Sequence, residues 1–252
     1  MIPGSASGRT VPATVYEPTG ASSPLPLVVI SPGFQMARTQ YASYAEHLAS
    51  WGFVTVLCDY ADQGFFADHQ ALADDVSSVI DWAIANRSID AAKIATAGHS
   101  LGGDMSTLAA ADDSRIAAVV GWDPVDASNP SVVPEKMSSF HAKLAVVGET
   151  TDSSGGGMPC APAGDNFQAF YAAAPAPAYQ LTLDGADHMD WVDDPSCAFC
   201  SFCTAGTADA SFARTTTRRL TVAWLRRQLS GDTAMDPWLA APPEAGTSVA
   251  RK

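Results

Sequence analysis

Gly98-His99-Ser100-Leu101-Gly102 is the stretch whose residue types and spacing point most directly to chemistry. A short apolar run, Lys93-Ile94-Ala95-Thr96-Ala97, leads into it, and a small-residue helical pattern leads out through Gly103-Asp104-Met105-Ser106. A bare Gly-x-Ser-x-Gly turns up by chance about 0.1 times in a chain this long, so the flanks carry the inference. Strand, sharp turn and helix are what a nucleophile elbow needs, with the serine hydroxyl standing clear of the sheet edge. Gly98 and Gly102 let strand and helix approach closely. Ser100 would then open a helix, where backbone N–H groups and the dipole favour developing negative charge.

A serine hydroxyl is a weak nucleophile at neutral pH and needs a base to take its proton. The base in turn needs a carboxylate to fix its tautomer. After an elbow serine the chain order is acid, then histidine. Only His141 and His188 follow Ser100. His141 precedes a strand, whereas His188 lies in Asp184-Gly185-Ala186-Asp187-His188-Met189-Asp190, a loop after a strand and before the final long helix. His188 is therefore the expected base, and His47, His69 and His99 are assigned to a helix surface, a loop and packing at the elbow. Three acids stay open: Asp123 in Gly121-Trp122-Asp123-Pro124, Asp152 at the end of the next strand, and Glu149 as a weaker third. The expected oxyanion hole pairs the backbone N–H of Leu101 with that of Phe34 in Pro32-Gly33-Phe34.

The elements that must position these groups alternate. Leu27–Ile30, Phe53–Cys58, Ile116–Gly121, Leu144–Gly148 and Ala178–Leu183 read as continuous apolar strands, as expected of strands covered on both faces. Between them, Tyr41, Tyr44, Ala45 and Leu48, and then Leu72, Val76, Val79, Ile80 and Ala83, recur at helical spacing. This alternation predicts an α/β fold with a mostly parallel sheet whose loops gather at the strands' carboxyl ends. One domain is expected over residues 1–252, with Ala178–Leu183 as the last strand and an irregular tail from about residue 231.

Bulk properties narrow the class. The chain has 252 residues, 47% hydrophobic and 16% charged, with a formal charge of −13. Such acidity argues against nucleic acid and anionic membrane surfaces, because phosphates are met by Lys and Arg. No apolar run reaches the roughly 18–20 residues a membrane-crossing helix requires. Met1-Ile2-Pro3-Gly4-Ser5 shows neither a basic nor a long apolar leader segment, so a soluble, cytoplasmic protein is expected, unless a cleaved leader preceded Met1. Cys58 reads as a small buried hydrophobe. Cys160, Cys197, Cys200 and Cys203 suit one or two disulfides or plain thiols better than a zinc site, because the triplet is too tightly spaced for two ligand pairs. Connectivity is not readable. No metal or cofactor is expected, and the oligomeric state is left open.

More specific patterns surround this frame: Gly121-x-Asp123-Pro124-Val125, Pro159-Cys160-Ala161-Pro162, Gly164-x-Asn166-Phe167, Gly185-x-x-His188-Met189-Asp190, and the Cys197–Cys203 loop. Together, over roughly residues 11 to 230, they resemble the chlorophyllase branch of the α/β-hydrolases. The resemblance implies an α/β-hydrolase fold, Asp123 as the acid, and hydrolysis of the phytyl ester of chlorophyll to chlorophyllide and phytol. Leu101 stands where plant members usually carry Arg, and Ser31-Pro32 where they commonly have His before Gly. These departures look more like bacterial polyester hydrolases and cutinase-like enzymes, so a general or polyester-degrading esterase is the alternative. A noncatalytic pigment- or lipid-binding relative would have no need of all three of Ser100, Asp123 and His188. A chlorophyll-like ester asks for a wide apolar cleft, with Phe34, Phe65, Phe66, Trp122, Met189 and Trp191 expected to line it. A peripheral contact with a membrane remains open on this reading.

Overall fold

In the computed structural model, which describes residues 1–22, 24–126, 130–152, 159–197, 200–240 and 245–252, the apolar runs become the middle of one sheet. Its parallel strands are β4 (Leu25–Ser31), β5 (Val54–Cys58), β6 (Ile89–His99), β7 (Ile116–Trp122), β8 (Lys143–Glu149) and β9 (Ala178–Leu183). Two short strands, β1 (Ile2–Pro3) and β2 (Thr10–Val11), pair with each other ahead of β3 (Ala13–Tyr16). The eight-stranded order is β10-β9-β8-β7-β6-β4-β5-β3, where β10 is Thr247–Arg251. Within this sheet the edge strands β3 and β10 run antiparallel to their neighbours, and the described strands between them are parallel.

Both faces are covered. Helices α2 (His69–Asn86), α3 (Leu101–Asp112) and α4 (Phe167–Ala173) pack over Leu27, Val29, Ile94, Val119 and Val146. Helices α1 (Ala42–Ser50) and α5 (Ala210–Ser230) cover Val28, Ile30, Ala95, Val120 and Val147. Alternate residues of one strand thus serve two cores, which is why the strands show no polar face.

Two expectations need correction. The segment after residue 231 is not simply irregular: α6 (Asp236–Ala240) packs on α5, and β10 adds an edge strand to β9 with Val249 opposite Leu181. Ala178–Leu183 is therefore not the last strand. Edge pairing rests on main-chain hydrogen bonds and asks little of the side-chain pattern, so Thr247–Arg251 carries no apolar run to read. His69, expected in a loop, begins α2, where the Asp68 carboxylate accepts the Ala71 N–H at 3.2 Å and caps the helix. The sequence reads Asp152 to Gly164 as a Gly/Ser/Pro-rich loop; residues 153–158 of it lie outside the described residues.

The order of strands reverses between β4 and β6, and clefts in such sheets form outside the carboxyl ends at that reversal. The loops after β4, β6, β7 and β9 carry Phe34, Ser100, Asp123 and His188, respectively.

Candidate active site

The turn at Ser100 is as tight as its glycines imply. A Cβ on Gly98 would lie 2.4 Å from the backbone of Gly102, and one on Gly102 would lie 2.1 Å from the Ser31 carbonyl oxygen. Neither position has room for a side chain. Ser100 itself is held at φ +55°, ψ −124°, with its N–H donating to the Trp122 carbonyl at 3.1 Å. Asp123 also has positive φ, at +43°. Such backbone costs on the order of 1–3 kcal/mol per residue and persists only where its surroundings hold it.

Three side chains separated by up to 88 positions meet here. His188 Nε2 lies 2.9 Å from Ser100 Oγ, and His188 Nδ1 lies 2.6 Å from Asp123 Oδ2. Asp123 is fully buried and His188 almost so. A carboxylate can only accept, so Nδ1 carries the ring proton and Nε2 is left to accept from the serine hydroxyl. Burial pushes the Asp123 carboxyl above its ordinary range, while the His188 hydrogen bond and charge pull it back. The loop carrying His188 is pinned by its own acids: Asp187 accepts the N–H groups of Met189 (2.8 Å) and Gly206 (2.7 Å), and Asp190 accepts that of Asp187 (3.0 Å).

The other two acids sit elsewhere. Asp152 Oδ2 accepts the N–H groups of Cys160 and Ala161, both at 2.7 Å, so it holds the loop after β8. Glu149 accepts the Asp152 N–H at 3.0 and 3.1 Å. Burial first, then the nearby Asp123 charge, raises the Glu149 carboxyl to about 8. Among the described residues, Asp123 is the carboxylate within hydrogen-bond reach of the His188 ring.

The cleft over Ser100 has a volume of about 190 Å³ and is lined by Phe34, Met36, His99, His188, Met189 and the four late cysteines. Those cysteines form two disulfides, Cys160–Cys203 and Cys197–Cys200, while Cys58 is a buried free thiol. Leu101, the first residue of α3, supplies one of the helix N–H groups that have no intrahelical acceptor. The wide cleft expected is thus narrower, walled by disulfides. Phe34 and Met189 line it. Phe65 stands 65% exposed with its ring 5.2 Å from Phe34, and Phe66 is wholly exposed beside it. Trp122 and Trp191 are not in the cleft. Both are fully buried: Trp122 stacks on Tyr44 at 4.1 Å and donates to Thr221, and Trp191 donates to Thr217. Each indole N–H finds its acceptor on α5, which turns both rings into core.

The sequence pattern does not single out Met36 or the cysteine pairs as cleft walls. The disulfide pairs follow only from three-dimensional proximity.

The chlorophyllase family model matches residues 5–244. The chain belongs to the chlorophyllase family. It is 30% identical to Chlorophyllase-1 of Arabidopsis thaliana over 88% of this chain and 78% of that protein. It is 26% identical to a bis(hydroxyethyl) terephthalate hydrolase of Streptomyces coelicolor over 94% of this chain and 68% of that one. A ferulic acid esterase structure from Streptomyces cinnamoneus superposes with a TM-score of 0.69 at 21% identity, covering 92% and 75% of the two chains. That likeness gives the α/β-hydrolase fold. Family and relatives together make this chlorophyllase-family protein a serine carboxylic-ester hydrolase.

Proposed function

We propose that the protein cleaves apolar carboxylic esters through Ser100, His188 and Asp123, with the phytyl ester of chlorophyll as its substrate. The observation that carries this reading is the unbroken chain Ser100 Oγ–His188 Nε2, His188 Nδ1–Asp123 Oδ2 at 2.9 and 2.6 Å. As Ser100 Oγ attacks the ester carbonyl, His188 Nε2 takes its proton and Asp123 stabilises the imidazolium. The N–H groups of Leu101 and Phe34 hold the oxyanion. His188 then protonates the departing alcohol, and a water molecule activated by the same imidazole releases the acid from the acyl-enzyme. Ester and water become carboxylic acid and alcohol, with no cofactor or metal required.

Chlorophyll as substrate is supported by family membership and by the motifs around Asp123 and His188. The cleft favours a second reading. At about 190 Å³ it lies below the roughly 300–1,000 Å³ that encloses a drug-sized ligand. It suits an ester group and its nearest atoms, with the rest of a large substrate lying outward past Phe34 toward the exposed Phe65 and Phe66. A small aryl ester or a polyester surface fits the same opening. The exposed phenylalanines would seat the enzyme peripherally on the uncharged surface that holds the substrate.

Turnover on extracted chlorophyll a, soluble p-nitrophenyl esters and a polyester film separates these readings. Chlorophyllide and phytol as the favoured products support the first; chlorophyll left intact while the other two are cleaved overturns it. Asp123→Ala should cost roughly 10⁴-fold in turnover, whereas Asp152→Ala should act mainly on stability. The reverse ranking would move the acid to position 152.

A further inference from the structure

A second hydrogen-bonded chain runs behind the first. Tyr41 ends a short 3₁₀ turn (Arg38–Tyr41) before α1, and His99 is the last residue of β6; both are fully buried. His99 Nε2 lies 2.8 Å from the backbone carbonyl oxygen of His188, and His99 Nδ1 lies 2.8 Å from the Tyr41 hydroxyl. Tyr41 Oη is also 3.2 Å from the N–H of Gly33 and 3.0 Å from Met36 Sδ. The two histidine rings pack 4.6 Å apart.

The protons can be placed by elimination. A carbonyl oxygen only accepts, so His99 Nε2 carries the hydrogen it donates to His188. Burial and the neighbouring His188 keep His99 well below its ordinary range, so the ring is neutral and Nδ1 is an acceptor. Tyr41 has one proton and two acceptors in reach; the Met36 thioether is a weak acceptor, so the proton goes to His99 Nδ1 at 2.8 Å, and Tyr41 Oη receives the Gly33 N–H. Every bond runs one way, from Gly33 through Tyr41 and His99 to His188. Contact is close at the Gly33 end: a Cβ there would lie 3.2 Å from both His99 Nδ1 and Tyr41 Oη.

We propose that Tyr41 and His99 are positioning residues for ester hydrolysis, holding the Gly33–Phe34 loop and the backbone of His188 in one register. Neither side chain donates to or accepts from a reacting atom. They act because the Phe34 N–H and His188 Nε2 must serve one tetrahedral intermediate, the N–H at its oxyanion and Nε2 at its serine and leaving-group oxygens. A misplacement of about 1 Å between such groups costs on the order of 10²-fold in rate. The proposal rests on the assignment of Ser100 and His188 made above.

Tyr41→Phe removes one oxygen and keeps the ring. It should lower kcat on a soluble p-nitrophenyl ester roughly 10- to 100-fold, with KM within about twofold. The low-field proton resonance of the His188 Nδ1–H bond to Asp123 should shift or broaden with it. His99→Gln keeps an N–H donor for the His188 carbonyl and should retain more activity than His99→Leu; this pair decides the matter if Tyr41→Phe does not fold. Wild-type kcat in folded Tyr41→Phe, a change confined to KM, or equal activity in the two His99 variants would overturn the proposal. Ser100→Ala, assayed alongside, separates the two levels. An active Ser100→Ala defeats the assignment of the nucleophile, whereas an inactive Ser100→Ala with unaltered Tyr41→Phe defeats this inference alone.

Discussion

At the residue scale, the site concentrates carboxyl groups that its chemistry uses unequally. Asp123, Glu149 and Asp152 are all buried at neighbouring strand ends, with His188 beside Asp123. Ionising buried carboxyl groups at neighbouring strand ends is costly; burial first, then the Asp123 charge, lets Glu149 keep its proton to about 8. The sign follows. The unfolded chain releases the Glu149 proton near its ordinary 4.5, but the folded chain holds it to about 8. The unfolded state thus binds fewer protons across that window, and stability from this group falls as pH rises through it, levelling off above about 8. Glu149→Gln keeps a neutral, similarly shaped side chain. Its thermal midpoint relative to wild type should rise between pH 5 and pH 9; parallel pH profiles for the two proteins would contradict this. Asp190, raised to about 6 by burial, is common to both proteins and cancels in the comparison.

At the scale of elements, the site depends on loops rather than on strand interiors. The Cys160–Cys203 bridge ties the loop after β8 to the loop before α5 across 43 residues, and both disulfides face the cleft. A loop of that length is worth roughly 4 kcal/mol in the chain-entropy description. Cys160→Ser with Cys203→Ser should lower unfolding stability by about that amount and raise KM more than it lowers kcat, since the bridge walls the cleft and makes no hydrogen bond in the Ser100–His188–Asp123 chain. Denaturant unfolding and steady-state kinetics check both, and unchanged values for the double variant would contradict the assigned role. The elbow was legible because two glycines and a buried strand leave few alternatives. The parallel strands were legible because they are apolar on both faces. The edge strand β10, the disulfide partners and the turn of Tyr41 toward His99 were not, because each depends on what folding brings alongside rather than on a local pattern. Trp122 and Trp191 misled for a related reason: a tryptophan next to a reactive aspartate or histidine suits a cleft or a core equally until its N–H acceptor is known.

At the scale of the whole molecule, exposure and charge decide where the enzyme works. No helix among the described residues is long and apolar enough to cross a membrane. Phe65 and Phe66 nevertheless stand exposed, Phe65 with its ring 5.2 Å from that of the cleft residue Phe34, and the chain carries a net charge of −13. Contact should therefore be with uncharged surfaces, anionic ones being repelled. Burying one phenylalanine is worth about 1.5–3 kcal/mol. Phe66→Ser should accordingly weaken adsorption to zwitterionic vesicles by roughly tenfold or more and leave hydrolysis of a soluble ester unchanged. Equal adsorption of variant and wild type, or preference for anionic vesicles, would contradict the seating proposed.

The central claim is that Ser100 is acylated with His188 as its base, and covalent trapping tests it most directly. Intact-protein mass spectrometry after treatment with a fluorophosphonate should show one adduct per chain, mapped to the peptide containing Ser100. The adduct should be absent in Ser100→Ala and form far more slowly in His188→Ala. An unmodified wild-type protein, or an adduct on another residue that survives Ser100→Ala, would contradict the account.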